Sequence, residues 1–198
     1  MGIAENMLER KDLWSLEDYA GLRKEFRAEV LEHKKHRNIL IGEHVLLTFE
    51  DEKTIRYQIQ EMLRIEKVFE AAGIQEELDA YNPLIPDGDN WKCTMLIQYA
   101  DVEERRQRLA ELIGIEDRVW MQAGDTGKIY AIADEDMDRD NEEKTSSVHF
   151  LRFQLEAEQI AAVKAGEAIS IGIDHDNYPV SAVTLEADSR ASLAADIA

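Results

Sequence analysis

The segment QIQEMLRIEKVF, Gln58 to Phe69, raises a chemical question. At helical spacing its Ile59, Met62, Leu63, Ile65, Val68 and Phe69 gather largely on one face, with Ile55 a turn earlier. Glu66 falls near the middle of that face and Gln58 at its edge. An uncompensated charge in a core costs on the order of several kcal/mol, so an inward Glu66 needs a partner. Three histidines fall on apolar faces in the same way. The stripe Leu16, Tyr19, Leu22, Phe26, Val30 extends by helical steps to His33 and then Arg37, with Arg23 close beside it. His149 alternates in register with Leu151, Phe153 and Leu155, and His175 with Ile169, Ile171 and Ile173, leaving Asp174 on the opposite side.

Two chemistries follow from these residue types. Glu66, His33, His149 and His175 are candidate ligands for a divalent metal, iron or zinc, because imidazole and carboxylate suit those ions. Arg23, Arg37 and Gln58 are then candidate ligand-binding residues, forming with His33 a cationic pocket for a small organic anion. Neither HExxH nor Glu-x-x-His spacing is present. A third chemistry makes Glu66 a general base whose affinity for protons burial has raised, in a hydrolase or lyase. The structural alternative pairs Glu66 with an arginine.

Other motifs carry less. GDTGK, Gly124 to Lys128, lacks the four-residue gap and the following Ser or Thr of a phosphate loop, and reads as a hairpin turn. Asp134, Asp136, Asp138 and Asp140 alternate like a calcium loop, but Arg139 and Thr145 stand where glycine and glutamate are needed. In EHKKHR the cations complement a helix C-terminus. Cys93, the one cysteine, sits on the Trp91–Met95 face of a strand as a small core residue, and no disulfide can form within the chain.

The elements that must position these groups are two long N-terminal helices and a series of strands. Ser15 caps the first helix, which runs to about Arg37; ILIGEHVLLTFED is a strand; the second helix opens at Thr54 and runs to about Ala72, before Gly73. WKCTMLIQYA, SSVHFLRFQL and AISIGIDH are strands, RVWMQA-GDTG-KIYAIA a hairpin, and VEERRQRLAELIG and EAEQIAAVKAG helices. The class is α+β, with a mixed or mostly antiparallel sheet packed against the two long N-terminal helices. Residues 1–14 read as a lead-in and 15–198 as a single domain. A net charge of −19 and pI near 4.6 disfavour nucleic acid and anionic membranes as partners. Without a signal core or a membrane-length apolar run, a cytoplasmic location is expected.

HKKHRNILIGEHVLLTFED, TIRYQIQEMLRIE, ELDAYNPLIPDG, SSVHFLRF and IGIDHDNY together resemble a bacterial family of about this length, domain of unknown function 3501. The resemblance implies no activity and no catalytic residues. Family members are encoded beside rubrerythrin-like proteins and iron–sulfur oxidoreductases, which implies a setting in iron or peroxide-defence metabolism. The expected function is therefore binding of a small ligand or divalent metal in redox metabolism. The alternative is a non-catalytic accessory subunit for a redox-protein partner.

Overall fold

The computed structural model describes residues 7–139, 141 and 143–198; the first six residues of the lead-in, and Asp140 and Glu142 of the acidic loop, lie outside the described residues. Where the sequence suggests one domain, the chain forms two compact units that alternate along it. One takes the residues up to Lys35 together with Glu50–Asp87; the other takes His36–Phe49 and Gly88–Ala198.

The first unit is helical. Ser15 accepts from the Asp18 N–H and starts α1, Leu16–Lys34, which buries Tyr19, Phe26 and Val30. Asp51 and Thr54 cap each other reciprocally at 3.0 and 2.9 Å and start α2, Glu52–Glu66. This helix stops earlier than its apolar pattern suggests. Lys67 turns left-handed at φ 55°, and the Val68 N–H closes on the Leu63 carbonyl at 2.9 Å. Val68 and Phe69 therefore leave the helix, and Phe69 is 71% exposed. Gly73 lies inside the next helix, α3, Ala71–Tyr81, rather than ending α2.

Ile55, Ile59 and Leu63 of α2 pack with Leu78, Ile85 and Leu8 into the core of this unit. Two buried amides tie down the lead-in from Leu8 to Trp14. Asn82 bonds both the N–H and the carbonyl of Leu8 at 2.9 Å, and Gln60 accepts from the Trp14 N–H at 2.7 Å.

The second unit holds nine strands among the described residues: β1, Asn38–Ile41; β2, Val45–Phe49; β3, Asn90–Ile97; β4, Val119–Ala123; β5, Ile129–Tyr130; β6, Ile132–Ala133; β7, Val148–Gln154; β8, Ile169–His175; and β9, Tyr178–Thr184. They form two antiparallel sheets rather than one, in the orders β1-β2-β3-β7-β6 and β5-β4-β8-β9. Helices α4, Val102–Glu111, α5, Ala157–Lys164, and α6, Ala187–Ala194, complete the unit. Alternation places Trp91, Cys93, Met95 and Ile97 of β3 and His149, Leu151 and Phe153 of β7 inside. The GDTG turn joins β4 to β5 as expected.

ILIGEHVLLTFED is a hairpin and not one strand. Gly42 turns at φ 68°, where a Cβ would stand 2.5 Å from the Tyr178 hydroxyl oxygen. That hydroxyl donates to the Ile41 carbonyl at 2.8 Å and accepts from the His44 N–H at 2.9 Å, bracing the turn. Strand β9 is the other element absent from the sequence reading. It follows β8 through a tight turn at Asp176–Asn177.

Candidate functional site

The structure distributes the candidate residues. Glu66, expected inside, is exposed at the last residue of α2. On an ideal wheel it belongs to the Ile55–Ile59 face, but α2 ends there and the side chain is exposed. Exposure also removes the burial on which a general-base role for Glu66 rested. Gln58 is exposed as well. His33 Nε2 lies 2.5 Å from Asp51 Oδ2, at the start of α2, whereas Glu66 is its last residue. A helix of 15 residues is about 22 Å long, so these two proposed metal ligands stand at opposite ends of it.

In the sheet unit His149 is fully buried and bonded to Asp134 and Thr145, and His175 Nε2 meets the Ile113 carbonyl at 3.1 Å. Among the described residues no three His, Cys, Asp or Glu side chains gather as a metal site would need. Arg37 lies beyond the end of α1, just before β1, and is 1% exposed. Its guanidinium grips Asp196 at 2.6 Å and the Phe49 carbonyl at 2.9 Å.

Arg23 has a carboxylate partner, but it is Glu61 and not Glu66. Arg23 Nε and Nη2 donate to the two Glu61 oxygens at 2.7 and 3.0 Å, and the buried Tyr19 hydroxyl adds a third donor at 2.8 Å. The Arg23 bonds above all, with Tyr19 second among the donors, hold the Glu61 carboxyl down at about 2 against an ordinary 4.5. Burial and the facing carboxylate push the Tyr19 hydroxyl up. The lowered acid contributes stability above about pH 4.5 and loses it as pH falls through about 2. Because Arg23 is partly exposed, Glu61→Gln is expected to cost about 1–2 kcal/mol at pH 7, with the deficit closing between pH 4.5 and 2. Urea unfolding at several pH values reads this, and an unchanged deficit at pH 2 would refute it.

Sequence reasoning missed the cleft that the helical unit does build. It has a volume of about 580 Å³ and is lined from α1 by Leu22, Glu25 and Phe26, from α2 by Lys53 and Arg56, and by Trp14 from the lead-in. Trp14 and Phe26 meet edge to face with centroids 4.9 Å apart, and the Arg56 guanidinium carbon lies 5.8 Å from the Trp14 ring centroid. Arg56 Nη2 bonds Glu52 at 3.0 Å, and Lys53 Nζ lies 3.3 Å from Glu29. Arg56 Nε differs from both: it is buried and has no hydrogen-bond partner among the described residues. Nothing in the sequence pattern marks Arg56. Only the Gln60–Trp14 bonds, which bring Trp14 to α2, hint at the aromatic wall beside it.

A family model described as a protein of unknown function, DUF3501, matches residues 7–197. The chain belongs to this family. It is also similar to a solved structure, a novel protein of unknown function from Burkholderia pseudomallei K96243. The two are 54% identical over 97% of this chain and 100% of that one, with a TM-score of 0.92. No similar sequence was found among curated proteins. Among the described residues no helix is long and apolar enough to cross a membrane.

Proposed function

We propose that the protein binds a small zwitterionic metabolite in the cleft between α1 and α2. The observation that carries this is Arg56 Nε, a buried donor without a partner in the wall of an aromatic-lined cleft. Buried N–H groups are nearly always satisfied, so this one calls for an acceptor, best a carboxylate or phosphate oxygen. The lining is not purely cationic: Lys53 and Arg56 come with Glu25, Glu29 and Glu52. A plain anion would be repelled by this set, whereas a ligand with an oxyanion at one end and an amine at the other meets both signs. Its apolar body would lie on Trp14, Phe26 and Leu22.

This reading develops the small-ligand half of the sequence expectation. The divalent-metal half is disfavoured by the separation of His33 from Glu66 along α2. One experiment addresses both. Protein purified without chelator or affinity tag is denatured, and the released small molecules and metals are measured against Arg56→Met. The expected result is a stoichiometric amine-bearing acid released from the native sequence and at least tenfold depleted in Arg56→Met. Equal small-molecule content in the two proteins would overturn the proposal, and stoichiometric iron or zinc would restore the metal reading.

A further inference from the structure

Helices α1 and α2 run antiparallel, and the contacts between them fix which residues stand opposite each other. The Tyr19 hydroxyl and Arg23 meet Glu61, and the Phe26 and Tyr57 ring centroids lie 6.0 Å apart. Lys53 Nζ lies 3.3 Å from Glu29, and His33 meets Asp51 at 2.5 Å. Glu25 adjoins Phe26 and Arg56 adjoins Tyr57, so Glu25 and Arg56 stand on facing helices within about one helical turn of the same level. Both line the cleft. Its carboxylates are Glu25, Glu29, Asp51 and Glu52. Lys53 holds Glu29, His33 holds Asp51, and Arg56 Nη2 holds Glu52. Glu25 makes no hydrogen bond or ion pair among the described residues. Across the cleft Arg56 Nε is the buried donor without a partner, its guanidinium kept on the α2 side by Glu52 and by the Trp14 ring.

We propose that the cleft takes an α-amino acid with an apolar side chain, its carboxylate on Arg56 Nε and its ammonium on Glu25. This identification rests on zwitterion binding in the cleft and adds Glu25 as the residue that recognises the amine. An acid and a donor that face each other at one level, without meeting, are bridged by a ligand whose own two charges lie side by side. A single carbon bearing both groups provides that, whereas an ω-amino acid spreads its charges a chain length apart. The side chain then runs along the cleft over Trp14, Phe26 and Leu22. No hydroxyl or amide side chain lines the cleft, so the hydroxyl groups of a sugar or nucleoside have no neutral side-chain partner there.

The test is titration calorimetry of the dialysed full chain with L-leucine, L-methionine and L-phenylalanine, with the deaminated acids isocaproate and hydrocinnamate, and with ε-aminocaproate. At least one of the amino acids is expected to bind stoichiometrically, and at least tenfold more tightly than the deaminated acids and ε-aminocaproate. Glu25 is exposed, so Glu25→Gln should keep its melting temperature while bringing the amino acids down to the affinity of the deaminated acids. Arg56→Met should lose both kinds of ligand. Equal affinity for an amino acid and its deaminated acid, or affinity indifferent to Glu25→Gln, overturns this inference and leaves the cleft an oxyanion site. If no amino acid binds while the native small molecule is still depleted in Arg56→Met, this inference falls alone. If that depletion is missing too, the zwitterion reading falls with it.

Discussion

Arg37→Met is expected to destabilise the protein more than any other single change described here, by about 3–5 kcal/mol, because it strands a buried carboxylate. Arg37 is 1% exposed and Asp196 is 9% exposed at its side chain. The guanidinium donates from Nη2 to Asp196 Oδ2 at 2.6 Å, from Nη1 to the Ser192 hydroxyl at 3.1 Å and to the Ser192 carbonyl at 3.2 Å, and from Nε to the Phe49 carbonyl. It thereby joins the end of β2 to α6 and the residues after it. Trp91 adds a bond from its indole N–H to the Leu193 carbonyl at 2.9 Å, and Leu193 is fully buried.

Loss of Arg37 should lower the melting temperature by roughly 10 °C for a chain of this size, read by calorimetry. Residues 187–198 should become the first site of proteolysis. Arg37→Lys should recover only part, since an ammonium cannot reproduce the forked contacts. The double change Arg37→Met, Asp196→Met should recover most, because it removes the stranded charge as well. If Arg37→Met left stability intact but abolished metabolite binding, the sequence expectation of a ligand-binding Arg37 would stand instead.

His149→Leu is the second. The ring is fully buried, with Nδ1 2.5 Å from Asp134 Oδ2. Nε2 lies 2.9 Å from the Thr145 hydroxyl and 3.1 Å from the Ser146 carbonyl, and Glu116 stands 3.8 Å away. Asp134 accepts at Nδ1, and the Thr145 hydroxyl and the Ser146 carbonyl meet Nε2. The imidazole ties both Asp134 and Thr145 to β7, and Asp134 also accepts from the Phe150 N–H at 2.9 Å and from Arg139 at 3.0 Å.

Leucine fills the space but removes both ring nitrogens, leaving Asp134 and Thr145 without their buried partner, for an expected cost of about 3 kcal/mol. Asp134 sits at φ 48°, a conformation asparagine also accepts, so Asp134→Asn is the proper partner for a double-mutant cycle. A coupling energy above about 1 kcal/mol would establish the pair as one unit. Additive effects would show that Asp134 acts through Arg139 and the backbone instead.

The inward direction of His149 was legible because a strand alternates strictly, and Leu151 and Phe153 leave one choice of face. The same logic gave β3 its buried side and Cys93 its place in the core. Helix starts were legible where Ser15 and Asp101 offer a side-chain oxygen to the first turn, whereas α2 starts after Asp51, before the Thr54 expected. Glu66 was misplaced for a physical reason. A helical wheel extends without limit, whereas α2 ends at Glu66 and the chain turns left-handed at Lys67. The sequence reading makes Arg23 a ligand-binding residue, whereas its carboxylate partner is Glu61, a pairing that depends on how α1 lies along α2.

The sequence by itself determined the α+β class, capped helix starts at Ser15 and Asp101, the alternating strands and the acidic composition. These follow from short-range periodicity, local hydrogen bonding and composition. Only the tertiary structure decided the division into two antiparallel sheets, the hairpin at Gly42 braced by Tyr178, the Arg37–Asp196 and Arg23–Glu61 pairs and the cleft beside Arg56. Each of these joins residues distant in the chain, through contacts whose energies depend on burial and orientation that no local pattern encodes.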